Sequence, residues 1–219
     1  MATIDSLAED VYLTTNRPDM VAETAVAIRK AIRKVHGADT FKRDLKVQRL
    51  NMSTYPPIDP NQYRWNIALS TFERFRRPKS IGYPPDLQPP IHVPAPLIDW
   101  PAGYQRDRTF IELSVDNLYD SYGWEKANYY YIAGTDLMIK SGWYVDFLDI
   151  VYYQWPLIPS ATGDTLTSWI VNTYPDAIVE EASSLVFKMI GKDDEYNRFA
   201  QMFAENLQII RATDVVEGN

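Results

Sequence analysis

The stretch PDMVAETAVAIRKAIRKVHG, Pro18 to Gly37, decides how the rest of the chain must be arranged. Val21, Ala25, Ile28, Ile32 and Val35 recur at i, i+4, i+7, i+11 and i+14, which lines up one apolar stripe on a helix. Pro18 stands where a first helical turn tolerates a missing N–H, with Asn16 or Arg17 before it, and Gly37 stands where a helix ends. Arg29, Lys30, Arg33 and Lys34 fall off the stripe in the C-terminal half, where the helix dipole favours cations, and His36 adds to that end. A lone amphipathic helix needs something to cover its stripe.

The partner lies at the far end of the chain. Asp164 or Thr165 is placed to cap a short helix through Trp169 and Ile170, which Tyr174-Pro175 interrupts. Ile178, Ala182, Leu185 and Met189 form the next stripe, with Glu180 and Glu181 pointing elsewhere. Gly191 closes that helix, and Asp193 caps a last one carrying Tyr196, Phe199, Phe203, Leu207 and Ile210 on one face. Helices joined by the short Gly191-Lys192 link are expected to form an antiparallel hairpin. The economical fold is α+β: an α-helical bundle made by both chain ends, residues 1–44 and 160–219, around an inserted domain at 45–159.

That insert has strand chemistry. Leu45–Met52, Tyr63–Phe72, Thr109–Leu113 and Asn128–Ala133 are rich in β-branched and aromatic residues. Gly134-Thr135 joins Tyr129–Ala133 to Leu137–Lys140 as a hairpin, and Ser141-Gly142 turns into the apolar run Trp143–Trp155. Antiparallel pairing is therefore expected. Eight of the 15 Tyr fall between Tyr119 and Tyr153. Consecutive Tyr129, Tyr130 and Tyr131 cannot share one side of a strand, so at least one points away from the core the other two join. Tyrosine supplies contact area at low entropic cost, so these three are candidates for a subunit interface. Eight of the 15 Pro lie between Pro78 and Pro101, which reads as an extended arm or loop and neither a helix nor an internal strand. Loops of that length usually carry function.

Composition narrows the chemistry. The chain has 219 residues with 22 Lys+Arg against 29 Asp+Glu, a net charge of −7 that disfavours a protein built to grip phosphate backbones. No cysteine is present, which removes disulfides and thiolate chemistry, and His36 and His92 are too few for a multi-histidine metal site. Neither histidine lies near a G-x-S-x-G elbow, and no phosphate-cradling or calcium-loop motif occurs. No cofactor, metal or catalytic residue is expected. Asp107, Glu112, Asp116 and Asp120 beside Tyr119, Tyr122 and Trp124 supply ingredients for sugar binding or cleavage, though no spacing marks a pair. The opening MATIDSLAEDVYL lacks a basic n-region, and no run of about 18 apolar residues occurs. A soluble chain made in a cytoplasm, with no membrane partner, is the expectation.

Three segments carry a family resemblance. NRPDMVAETAVAIRKA (Asn16–Ala31), followed by His36 and ADTFKRDL (Ala38–Leu45), resembles the opening of bacteriophage head-to-tail adaptor proteins of podovirus type. YGWEKANYYYIAGTDLMIKS (Tyr122–Ser141) is similar to that family's sheet hairpin, and SWIVNTYPDAIVEEASSLVFKMIGKDDE (Ser168–Glu195) to its C-terminal helical hairpin. The segments come in the family's order, and the arm Pro78–Pro101 lies outside the resemblance. The resemblance implies a virion protein forming a ring, usually of twelve copies, between the portal and the tail nozzle. Such a ring extends the DNA channel without sequence-specific binding and docks nozzle or fibre proteins. The alternative is a carbohydrate-binding or carbohydrate-cleaving tail component.

Site expectations follow. Arg29, Lys30, Arg33 and Lys34 are expected to meet Glu180, Glu181, Asp193, Asp194 and Glu195 of a neighbouring subunit. The polar end Ala212, Thr213, Asp214, Val215, Val216 and Glu217 is expected to order on the portal. Arg76, Arg77, Pro84, Pro85 and Trp100, where a basic cluster runs into the arm, are the tail-partner candidates.

Overall fold

The computed structural model describes residues 2–58, 63–84, 109–114, 128–141 and 145–217, with residues 215–217 described by backbone alone. The protein is of the α+β class and divides into two compact units, residues 1–44 with 155–219, and residues 45–154.

The first unit is helical. Helix α1 (Ile4–Thr15) opens with a capping box in which Thr3 and Ser6 each satisfy the other's backbone N–H, and it closes on Asn16 in the left-handed region at φ 54°. Pro18 therefore lies in the turn, and helix α2 begins three residues later (Val21–Ala38). The stripe from Ala25 to Val35 is buried, while Val21, at the first turn, is 62% exposed. Gly37 stays helical, and the helix stops at Asp39, whose backbone is extended.

Helix α3 (Trp169–Thr173) is capped by Ser168, whose oxygen accepts from Val171 N–H, in place of the expected Asp164 or Thr165. Pro175 is the first residue of helix α4 (Pro175–Met189), where its missing N–H costs nothing. Gly191 at φ 73° then reverses the chain into helix α5 (Asp193–Glu217), with Lys192 N–H bonded to Phe187 C=O. The face of α4 is broader than its apolar stripe: Ala177, Ile178, Ala182, Val186 and Phe187 are buried together with Glu181, Ser183 and Ser184, whereas Met189 is 47% exposed. Helix α4 packs on α1, α2 and α5, so one continuous apolar core joins residues near both chain ends, from Ile4 to Ile210.

The described residues of the second unit form two sheets. One has the order β1-β7-β3, with β1 (Leu45–Asn51) and β3 (Phe75–Gly82) both antiparallel to β7 (Phe147–Gln154). The other has the order β2-β6-β5-β4, made of β2 (Arg64–Ala68), β6 (Asp136–Lys140), β5 (Tyr129–Ala133) and the short β4 (Ile111–Glu112), which is parallel to β5. Gly134 at φ 61° makes the β5–β6 turn. Leu148, Ile150, Tyr152 and Ile81 from one sheet and Trp65, Ile67, Tyr130, Leu137 and Ile139 from the other share a single core.

Strand β3 corrects the start of the arm: Pro78 sits inside a strand. It does so because at Pro78 β3 is the outer strand of its sheet among the described residues, where an absent donor removes no ladder bond, and the register shifts on both sides of Arg77-Pro78. The arm from residue 85 to 101 lies outside the described residues. No helix among the described residues is long and apolar enough to cross a membrane.

Candidate functional site

A dense polar arrangement among the described residues joins three segments far apart in sequence. His36, on the last turn of α2, points Nδ1 at both carboxylate oxygens of Asp44, at 3.0 and 2.8 Å, and Nε2 at Ser168 Oγ, at 2.8 Å. Trp169 Nε1–H donates to Asp44 Oδ1 at 2.9 Å, and the Arg43 guanidinium lies 4.9 Å from the centre of the Trp169 ring. One proton arrangement satisfies every group: Nδ1–H donates to Asp44, Ser168 O–H donates to Nε2, and Val171 N–H donates to Ser168 Oγ.

This is the hydrogen-bond order of a serine-hydrolase relay, on a site that is closed. His36 is 1% exposed, Ser168 3% and Asp44 7%, so no substrate carbonyl reaches Oγ without the helical core opening. What the relay does is mechanical: it ties the end of α2, the 3-10 turn at Lys42–Asp44 and the start of α3 together. His36 is thus a core ligand of Asp44, and not the exposed dipole cation its helix-end position suggested. His92 lies outside the described residues.

The α2 cations separate into two pairs. Lys34 reaches Glu181 of its own chain at 2.7 Å and lies 4.9 Å over the Phe203 ring, and Arg29 donates to the Ser160 carbonyl at 2.6 Å. Lys30 and Arg33 are exposed and make no ion pair among the described residues. The acids expected to face a neighbour separate likewise. Glu181 is 1% exposed and answers Lys34 internally, which removes it from any subunit contact. Glu180 accepts from Asn206 of α5 at 2.6 Å, and burial raises its pKa, with the Asn206 bond acting against that rise. Asp193 and Asp194 are exposed in the first turn of α5, where they complement its dipole.

Tyr130 enters the sheet core, and burial, with Glu112 adding to it, pushes its hydroxyl up to about 12. Tyr129 and Tyr131 take the opposite face, stacked with centroids 6.4 Å apart, and Lys140 lies 5.5 Å over Tyr129. Strand alternation puts Tyr129 and Tyr131 on the face opposite Tyr130, yet Tyr129 is buried there at 6% exposed while Tyr131 stays half-buried, so two of the three are buried and one is not, as expected. Burial holds the Lys140 ammonium below its usual range, and the neighbouring Arg64 adds to that.

Residues 212–217 are no loose tail. They continue α5, and Asp214 is 8% exposed and accepts from Lys42 N–H at 2.9 Å, while Arg211 bridges to Asp39 at 2.8 Å. Ala212 is exposed, and Thr213 bonds back to Ile209 C=O. Arg76 and Arg77 lie on β3, the latter 5.2 Å over the Tyr153 ring. Pro84 is buried, which takes it off the surface, and Pro85 and Trp100 lie outside the described residues. Of the four carboxylates considered for sugar chemistry only Glu112 is described, accepting from Tyr130 O–H at 3.4 Å. Among the described residues no group of three or more acids or histidines could hold a metal ion.

The relay was hidden from sequence reasoning because its members stand at positions 36, 44 and 168. The one local signal was Ser168 before Trp169-Ile170-Val171, a helix cap followed by an apolar turn. No protein-family model matches the chain, and no curated protein matches it.

Proposed function

We propose that this chain is a head-to-tail adaptor of a tailed-phage virion, a structural part without enzymatic activity. It forms a ring, of twelve copies as the resemblance implies, below the portal, extends the DNA channel, and docks nozzle or fibre proteins. The observation that carries this is where the three family-like segments fall. Asn16–Ala31 covers the first turns of α2, the described part of Tyr122–Ser141 the β5–β6 hairpin, and Ser168–Glu195 helices α3 and α4 with the start of α5. The first and third pack on each other in one core, as an adaptor's bundle of both chain ends requires. The negative net charge suits a channel past which DNA slides without sticking.

Mixing the purified chain with the portal protein and imaging by negative stain or cryo-electron microscopy tests the proposal. A rotationally symmetric ring seated on the portal is the expected result. A monomer that ignores the portal overturns it, and one that instead binds glycans favours the carbohydrate-directed tail component.

A further inference from the structure

Two outward helix faces of the helical unit carry opposite charge that no ion pair among the described residues answers. On α1 the buried side is Ile4, Leu7, Ala8, Val11 and Thr15, so the outward side holds Asp5, Glu9, Asp10 and Leu13. Leu13 is 83% exposed, the most exposed large apolar side chain among the described residues. On α2 the outward line is Val26, Lys30 and Arg33, spaced i, i+4, i+7, with Val26 44% exposed. Asp5, Glu9, Asp10, Lys30 and Arg33 make no ion pairs among the described residues.

We infer that the α1 face of one copy docks on the α2 face of the next, with the two helices antiparallel. The spacings match. Glu9 and Asp5 lie about 6 and 12 Å along α1 from Leu13, and Lys30 and Arg33 lie about 6 and 10 Å along α2 from Val26. With Leu13 against Val26 and the helices running in opposite directions, Glu9 meets Lys30 and Asp5 meets Arg33. Each pair then reinforces the apolar contact and fixes its register. The two faces differ, so the contact is head-to-tail, the kind that closes into a ring when its rotation allows. The inference rests on the ring reading and changes which acids the α2 cations meet: those of α1, and not those of α4 and α5.

The test uses two full-length variants, Asp5→Lys/Glu9→Lys and Lys30→Glu/Arg33→Glu, and measures their mass by analytical ultracentrifugation and native mass spectrometry at low salt. All four side chains are exposed, so both variants are expected to keep the wild-type circular dichroism and melting temperature. Each variant alone is expected to self-associate at least roughly tenfold more weakly than wild type, since like charges then face one another. Mixed one to one, they are expected to assemble again, because each reversed face meets a reversed partner. A mixture that recovers assembly but stops at a dimer keeps this contact and overturns the ring. Wild-type rings that both variants form unimpaired overturn the contact and leave the ring standing. A Lys30→Glu/Arg33→Glu variant that assembles normally yet loses binding to nucleic acid or to an acidic protein assigns the α2 face to that partner, which also overturns the inference.

Discussion

The two units solve the same problem with different materials. The helical unit joins segments more than a hundred positions apart and uses buried polar groups to do it: His36 to Ser168, Asp44 to Trp169, Lys34 to Glu181, and Lys42 to Asp214. The sheet unit is built from antiparallel pairs and fills its core with Trp65, Phe72, Tyr130 and Tyr152, leaving its ion pairs, such as Arg49–Asp149 and Lys46–Glu73, nearer the surface. Helices share no backbone ladder with one another, so side chains alone must fix how they meet, and apolar contacts are tolerant of sliding. A strand ladder fixes spacing and direction, and the inward–outward alternation with its turns fixes the register, so the aromatic core fills volume on a frame already set. Polar specificity in the helical unit does the work that backbone pairing does in the sheets.

The largest effect should separate the units. His36→Ala takes the Nδ1–H donor from the buried Asp44 carboxylate, and leaving a buried charged acceptor short of a donor costs about 3 kcal/mol. Trp65→Ala opens a cavity in the other core at a similar cost, about 3–5 kcal/mol. Hydrogen–deuterium exchange should locate the first loss in α2, α3 and α4 and the second in β2, β5 and β6. Exchange that rises equally in both units in either variant would break the comparison.

Of intermediate size is the Lys34–Glu181 pair. Thr24 Oγ1, Ser183 Oγ and Glu181 Oε2 are already buried with no hydrogen-bond partner among the described residues, so this core carries polar cost. Lys34→Met should destabilise by leaving Glu181 buried without its cation, and the double variant Lys34→Met/Glu181→Met should recover the loss or exceed wild type. Urea unfolding of the four members of the cycle checks this. A double variant as weak as Lys34→Met alone would show that Glu181 contributes something other than its pairing with Lys34.

The smallest effect has a pH signature. The Glu180 pKa is raised in the folded protein, so the fold binds that proton more tightly than the unfolded chain does. Stability is then lost as pH rises from the ordinary glutamate value of 4.5 through the raised one. Glu180→Gln keeps an oxygen for Asn206 and removes the charge. It should raise the melting temperature at neutral pH and leave it unchanged in acid, by differential scanning fluorimetry. A gain that persists in acid would mean that packing, and not the charge, is responsible.

Legibility in the sequence tracked the range of the interaction. The α2 stripe, the Tyr174-Pro175 break, the Gly191 reversal and the Gly134-Thr135 hairpin were all readable, because each depends on neighbours within a few positions. Strand β3 was not, since Pro78 argues against a strand unless that strand is known to be an edge. The outward side of α1 was equally hidden: Leu13 is apolar by type, and only the burial of Ile4, Leu7 and Val11 shows that it faces outward. Among the site residues, the α2 cations were recognisable as a group. Which of them are engaged depends on Glu181 and Ser160, which approach only in the folded chain.

Local periodicity and turn chemistry in the sequence alone determined the helix–sheet–helix order, the absence of thiol chemistry and the clustering of tyrosine and proline. Tertiary structure decided what those residues are for. It buried His36 against Asp44 and Ser168, put Tyr129 and Tyr131 on the sheet face opposite Tyr130, engaged Lys34 and Arg29, and left Lys30 and Arg33 facing outward. The physical reason is that a side chain's type is local, whereas its burial and its partner are set by segments that the chain brings together only on folding.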